Sequence, residues 1–133
     1  MNAEELTFAI DSEFDLQLAI AGARKMARDS GFGEEGIAAI MTTVSELGRN
    51  ILKYAGQGRI RLLPLEEEGR RGIEIRAEDD GPGIADVAAA LRDHFSTGGT
   101  LGLGLPGVRR MMDQFDVESR PGAGTRVRAR KWR

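Results

Sequence analysis

The chain predicts an α+β fold, a two-layer α/β sandwich in which helices cover one face of a mixed, largely antiparallel sheet. Three observations carry this. Hydrophobic periodicity orders the elements as β-α-α-β-β, an irregular segment, α, then β-β, unlike the βαβ alternation of a doubly wound parallel sheet. One stretch, 34–55, is amphipathic with the helical period over its whole length. Of the 18 glycines, nine cluster at 81–83, 98–107 and 122–124, between elements, where backbone turns sharply or approaches something closely.

Residues 5–10 (Glu-Leu-Thr-Phe-Ala-Ile) alternate and suggest an edge strand. Asp11 or Ser12 can cap a helix over about 13–30, ended near Gly31 and Gly33. In 34–55, Ile37, Ile40, Met41, Val44, Leu47, Ile51 and Ala55 recur at spacings of three and four, forming one buried stripe ended by Gly56. Residues 58–65 and 72–79 read as strands around a charged turn, Glu66 to Arg71. The stretch 84–101 is mixed, with a short helical part near 85–93 followed by Ser, Thr and Gly. Pro106 suits a first helical position, and that helix runs to about Gln114. Residues 115–119 and 125–131 close the chain as a hairpin around Pro121-Gly122-Ala123-Gly124.

Composition narrows the function classes. A chain of 133 residues is expected to form one domain, 1–133, with a full core. A net charge of −2 argues against bulk electrostatic binding of nucleic acid. The absence of cysteine excludes disulfides, iron–sulfur clusters, thiolate zinc and thiol catalysis, and a single histidine, His94, cannot build a multi-histidine metal site. No run approaches the roughly 18 apolar residues of a membrane span, and the acidic start Met1 to Glu5 does not read as a signal peptide. The expected location is cytoplasmic, with no membrane partner.

Four small motifs then stand in order. Glu46 and Asn50 are four residues apart on a helix and share a face, which helical geometry sets roughly opposite the apolar stripe. Alone, the pair reads as solvated surface. If that face borders a cleft, the carboxylate can take a proton from a hydroxyl and the amide oxygen can ligate Mg²⁺. Gly48 between them lowers helix propensity by about 1 kcal/mol, which suggests that something packs closely against it. Asp79-Asp80-Gly81-Pro82-Gly83 ends a strand. It is either a plain turn or a carboxylate acceptor for an exocyclic amine, with glycines that let backbone lie against a flat ring. Gly102-Leu103-Gly104-Leu105-Pro106-Gly107 matches GxGxxG literally, but the dinucleotide fingerprint needs a preceding strand, and the approach from His94 to Thr100 is none. A glycine loop running into a helix N-terminus, suited to phosphate, is the better reading, and no GxxxxGK[ST] occurs. Gly122-Ala123-Gly124-Thr125 comes last. Arg126, Arg128 and Arg130 alternate with Val127 and Ala129, as on a strand with one buried and one solvated face. From Ser119 onward there are six basic and no acidic residues, so a partner surface there is also open.

In this order the motifs resemble the GHKL ATPases, whose ATP site uses no P-loop. Glu46-Leu-Gly-Arg-Asn50 resembles their N-box, Asp79-x-Gly81-x-Gly83 their G1 box, Gly102-x-Gly104 the G2 box at the end of the ATP lid, and Gly124-Thr125 the last turn before the closing strand. Within that superfamily, Val44 to Ile51 with Tyr54-Ala55-Gly56, and Leu103 to Phe115, are similar to the small serine kinases of bacterial partner-switching systems, the stressosome switch kinases. The resemblance implies a Bergerat fold and an ATP- and Mg²⁺-dependent serine/threonine protein kinase with a lid at about 84–105. Its implied substrates are STAS-domain scaffold proteins, and once released it activates a PPM-type phosphatase or another output protein. It further implies Glu46 as the group that orients or deprotonates the substrate hydroxyl and Asn50 as the Mg²⁺ holder. Asp79 would receive the adenine amine, with Gly81 and Gly83 beside the ring and Thr125 behind it through water. Gly98, Gly99, Gly102, Leu103, Gly104 and Gly107 would cover the phosphates, and Arg49 or Arg109 would assist with charge. Two alternatives accompany this reading: an anti-sigma factor that sequesters a sigma factor, and a nucleotide-gated interaction module without significant catalysis.

Overall fold

A computed structural model describes residues 4–84, 86, 91 and 104–133. Among the described residues, five strands form one sheet in the order β1-β2-β3-β5-β4: β1 Leu6–Ile10, β2 Gly58–Glu67, β3 Arg70–Asp79, β4 Gln114–Ser119 and β5 Thr125–Trp132. All four pairings are antiparallel, so the sheet expected to be mixed and largely antiparallel is antiparallel throughout. The connections explain this. β2–β3 and β4–β5 are hairpins, and β1 reaches β2 through two successive helices, an even number of passes that returns the chain in the opposite sense.

Helix α1 (Glu13–Asp29) starts at Ser12, whose Oγ accepts from the Asp15 N–H at 3.1 Å, while the Asp15 carboxylate accepts from the Asp11 N–H at 2.9 Å. Glu13 and Asp15 add negative charge at the positive end of the helix dipole. Helix α2 (Glu34–Asn50) follows, then a π-helical turn, Ile51–Ala55, where an uninterrupted α-helix was expected. The two helices lie on one face of the sheet. Their buried stripes, Leu16, Ala19, Ala23 and Met26 on α1 and Ile40, Val44 and Leu47 on α2, meet Ile60, Leu62, Ile73, Ile75, Val127 and Ala129. Gly48 is where Leu16 of α1 rests on α2: a Cβ there would strike the Leu16 Cδ1 methyl. The glycine therefore serves close helix packing, as its place in a good helix suggested.

The β2–β3 strands run longer than the charge pattern indicated, meeting at a two-residue turn, Glu68-Gly69, with φ of 51° and 79°. Both residues have the positive φ of a tight hairpin turn. Helix α3 (Leu105–Met111) starts one residue before Pro106 and stops short of Gln114. Its end is tied to β5: the Asp113 N–H donates to the Arg130 carbonyl at 2.9 Å and Lys131 Nζ donates to the Met111 carbonyl at 2.8 Å.

The other sheet face carries charge. Glu78 lies 3.2 Å from Arg59, 3.9 Å from Arg61 and 3.7 Å from Arg126. Glu74, only 1% exposed, accepts from Arg76 at 2.5 Å and from Arg130 at 2.6 Å. Burial pushes the Glu74 carboxyl up, but these two guanidiniums outweigh it and hold it below its ordinary value. The alternation of Arg126, Arg128 and Arg130 with buried Val127 and Ala129 is thus a strand with one core face and one ionic face.

Candidate functional site

A cavity of about 300 Å³ opens at the end of the sheet where β3 exits and β5 begins. One side is helical: Leu47 and Asn50 of α2, then Ile51 and Tyr54 of the π turn. Leu47, Asn50, Ile51 and Tyr54 have the i, i+3, i+4, i+7 spacing of one helical face, and the π turn ends that face at Gly56. The floor is Ala77 and Asp79 of β3 with Thr125 and Val127 of β5. Pro82, Gly83, Ile84 and Asp86 border it after β3, and Leu105 closes it from α3.

Asn50 therefore shares its cavity with Leu47 and Ile51 of the apolar stripe, which corrects the expectation of an opposite face. At about 100° per residue, Asn50 sits some 60° from Leu47, on the border of a stripe that is itself more than 100° wide. Glu46, one turn earlier, is half-buried and does not line the cavity. It abuts Gly104, the left-handed (φ 69°) N-cap of α3, where any Cβ would strike the Glu46 carboxylate. Glu46 and Asn50 thus face the junction between the cavity and the start of α3.

Asp79 is the last residue of β3, paired with Gly58 on one side and Thr125 on the other. Its Oδ1 accepts from the Gly81 N–H at 2.9 Å, which fixes the carboxylate at the cavity. The segment after β3 is clamped to the β4–β5 turn. The Gly122 N–H donates to the Pro82 carbonyl at 2.7 Å, and the Ile84 N–H donates to Ser119 Oγ at 2.7 Å. Gly83 lies so close to the Arg120 carbonyl, and Gly124 to the Asp79 carbonyl, that no Cβ fits at either place. Ser119 Oγ also donates to the Gly124 carbonyl at 2.9 Å and lies 2.9 Å from Thr125 Oγ1.

The structure thus brings Asn50, Asp79, Gly83 and Thr125 onto one cavity, with Glu46 and Gly104 at its helical margin. Gly81 supports it from behind, packed on Ala55, and Gly107 is half-buried on α3 without lining it. Arg49 is exposed, bonded to Ser45 Oγ at 3.3 Å and 3.6 Å from Glu13, and Arg109 is exposed in the last turn of α3; neither lines the cavity. Gly98, Gly99, Gly102 and Leu103, with His94 and the short helix expected near 85–93, lie outside the described residues except for 86 and 91. Sequence reading missed Ser119, Ile84 and Leu105 as site residues. Ala77 and Val127 were findable, since inward alternation places them beside Asp79 and Thr125. Ser119 carries no such signal until the β4–β5 register is known.

Chemically, the cavity has apolar walls of Ile51, Ala77, Ile84, Leu105 and Val127, with oxygen acceptors of Asp79 and Thr125 together at one end. A flat heterocycle bearing an N–H edge fits that pattern, with its polar substituents directed toward Asn50 and the start of α3.

A family profile described as the histidine kinase-like ATPase domain matches residues 8–131. The chain is 46% identical over 123 residues to the serine/threonine-protein kinase RsbT of Bacillus subtilis (strain 168), covering 92% of each chain. It is 34% identical over 103 residues to the anti-sigma F factor of Thermoanaerobacter sp. (strain X514), covering 74% of this chain and 71% of that one. It is 35% identical over 104 residues to the anti-sigma F factor of Caldanaerobacter subterraneus subsp. tengcongensis, with the same coverage. No described helix is long and apolar enough to cross a membrane. A profile match from residue 8 to 131 and a kinase relative aligned over nine-tenths of both chains agree with the acceptor-floored cavity, and the chain belongs to the histidine kinase-like ATPase family and, within it, to the RsbT-like serine/threonine-protein kinases.

Proposed function

We propose that this chain, acting as one domain in the cytoplasm, transfers the γ-phosphoryl of ATP to a serine or threonine of a STAS-domain partner and, once released, activates a PPM-type phosphatase or another output protein. The observation that carries this is the placement of Glu46 and Asn50 one turn apart where the cavity meets the N-terminus of α3. Asp79 accepts from the adenine amine, Gly83 lets backbone lie beside the ring, and Thr125 supports the base through water. Glu46 orients the substrate hydroxyl and takes its proton. Gly104 and Gly107, with Gly98, Gly99, Gly102 and Leu103 of the lid, cover the phosphates.

Mg²⁺ fits the residues present. No group of three or more His, Cys, Asp or Glu stands together among the described residues. Asn50 offers a hard amide oxygen at the cavity, the sparse ligation that suits Mg²⁺ shared with phosphates. When bound, the ion would neutralise phosphate charge. Phosphoryl transfer otherwise asks for positioning, which the clamped Asp79–Thr125 floor and the Glu46 carboxylate supply.

Incubation with γ-labelled ATP, Mg²⁺ and a STAS-domain protein tests this. Wild type labels the partner. Glu46→Ala loses about 100-fold or more of the rate, the scale of a general base, and keeps its ATP affinity. Equal labelling by Glu46→Ala refutes the assignment. The anti-sigma F similarity supports sigma-factor sequestration as a second reading; nucleotide-dependent retention of a sigma factor on the immobilised chain would favour it. Phosphatase activation by Glu46→Ala equal to wild type, with no labelling by either protein, would mark a nucleotide-gated docking module.

A further inference from the structure

We infer that Ser119 is a positioning residue that sets the Thr125 hydroxyl as a hydrogen-bond acceptor in the nucleotide cavity, so that the site selects a 6-amino over a 6-oxo purine. This rests on the nucleotide reading above and adds the source of its base specificity.

The inference follows from counting hydrogens. A serine hydroxyl has one proton to give and two lone pairs to receive. Ser119 Oγ meets three partners: the Ile84 N–H at 2.7 Å, the Gly124 carbonyl at 2.9 Å and Thr125 Oγ1 at 2.9 Å. The Ile84 amide can only donate, so it occupies one lone pair. The Gly124 carbonyl can only accept, so it takes the single Ser119 proton. Toward Thr125, Ser119 has only a lone pair left, and the Thr125 proton goes to Ser119. All four groups are then satisfied, which a half-buried network requires.

The consequence lies at the cavity. With its proton committed to Ser119, Thr125 Oγ1 has only lone pairs for a ligand, and a water bridging it to the Asp79 carboxylate would spend both its protons on these two acceptors and likewise present only lone pairs. Asp79 is its cross-strand partner and lines the same cavity with a carboxylate, which is also an acceptor. That end of the site therefore pairs with N–H groups. The exocyclic amine of adenine supplies them, whereas a 6-oxo purine sets an oxygen against oxygens. Ser119 does not line the cavity; it acts through Thr125, and through Ile84, whose amide it pins after the end of β3.

Binding of ATP and of ITP, its 6-oxo counterpart, to the full chain tests the inference, with a nucleotide-free melting curve for each variant. Wild type prefers ATP. Ser119→Ala frees the Thr125 proton and lowers the ATP/ITP affinity ratio by about five- to tenfold, the scale of one hydrogen bond reversed. Ser119→Thr, which keeps the hydroxyl, retains the ratio. In a Thr125→Val background the Ser119→Ala effect on the ratio disappears, because the hydroxyl it acts through is gone. Equal loss of both nucleotides in Ser119→Ala, or an unchanged effect on the ratio in the Thr125→Val background, overturns the inference and leaves the nucleotide reading standing. A wild type that binds neither nucleotide overturns both.

Discussion

Gly122 and Gly124 provide a matched pair of perturbations at the edge of the site. Both lie in the β4–β5 turn and both have φ of 77°, so an alanine at either carries the same left-handed strain, about 1–2 kcal/mol. Their surroundings differ. A Cβ at Gly122 meets nothing within 4 Å, whereas one at Gly124 strikes the Asp79 carbonyl and comes within 3.0 Å of the Asp80 Cα. Those neighbours are backbone at the end of a central strand and cannot rotate aside, so Gly124→Ala forces the turn away from β3 at an overpacking cost of about 1–3 kcal/mol more. At roughly 3–4 °C per kcal/mol for a chain of this size, Gly124→Ala melts about 3–12 °C below Gly122→Ala. The displacement separates Thr125 and Ser119 from Asp79. ATP affinity therefore falls by about tenfold or more in Gly124→Ala and stays within about twofold of wild type in Gly122→Ala. Thermal denaturation read by circular dichroism and titration with a fluorescent ATP analogue measure the two effects. Equal melting temperatures, or wild-type ATP affinity in Gly124→Ala, would show that the turn and strand are not locked through this contact.

Other expectations follow from the ionic face, the helix pair and the cavity margin. Glu74 has a folded-state pKa below its unfolded one, so its stabilising contribution is fully present above the unfolded value near 4.5 and is lost as pH falls through the depressed folded value. Glu74→Gln should cost about 1–3 kcal/mol at pH 7, and urea titrations should find the gap to wild type closing below about pH 4.5. Gly48→Ala gains about 1 kcal/mol of helix propensity but drives a methyl into Leu16 at an overpacking cost of about 1–3 kcal/mol, for a net loss of up to about 2 kcal/mol; in a Leu16→Ala background the same change should stabilise relative to Leu16→Ala alone. Asn50→Ala should remove most of the difference between ATP affinities measured with Mg²⁺ and with a chelator, and an unaltered Mg²⁺ dependence would refute the assignment.

The legibility of this chain divides along a physical line. Elements governed by local rules were readable. Ser12 caps α1 through its own side chain, the period of Ile40, Val44 and Leu47 exposes α2, and the alternation of Arg126 to Arg130 marks β5. The candidate-site residues readable from sequence were those whose chemistry is carried by residue type: a carboxylate and an amide at helical spacing, and glycines around an aspartate at a strand end. What escaped was set by register and by contacts far apart in sequence. Ser119 becomes a site residue only because β4 pairs with β5 so that it lies beside Thr125, and because Ile84, 35 residues earlier, donates to it. The π turn at Ile51–Ala55 has no period of its own, since the same apolar residues serve an α-helix.

The side of α2 on which Asn50 falls escapes the sequence for a related reason. An apolar stripe has no single opposite side: a helix lodged against a sheet presents a wide buried arc, and a cavity-lining residue can stand on its shoulder. Asn50 shows why that position is useful. Its backbone is anchored by Leu47 and Ile51 in the core, with 2% exposure at each, and its amide stands at the cavity without a loop to carry it. Glu46 one turn earlier inherits the same anchoring and meets α3 at Gly104. A substitution that loosens the shoulder, such as Leu47→Ala, should then act twice. It removes about 2–5 kcal/mol of core stability, and it lets the Glu46–Asn50 turn shift at the cavity. In a background that remains folded, phosphotransfer should fall by more than ATP affinity does. A loss confined to stability, with both activities intact in the folded fraction, would mean that the turn is held by its own hydrogen bonds and not by the core beneath it.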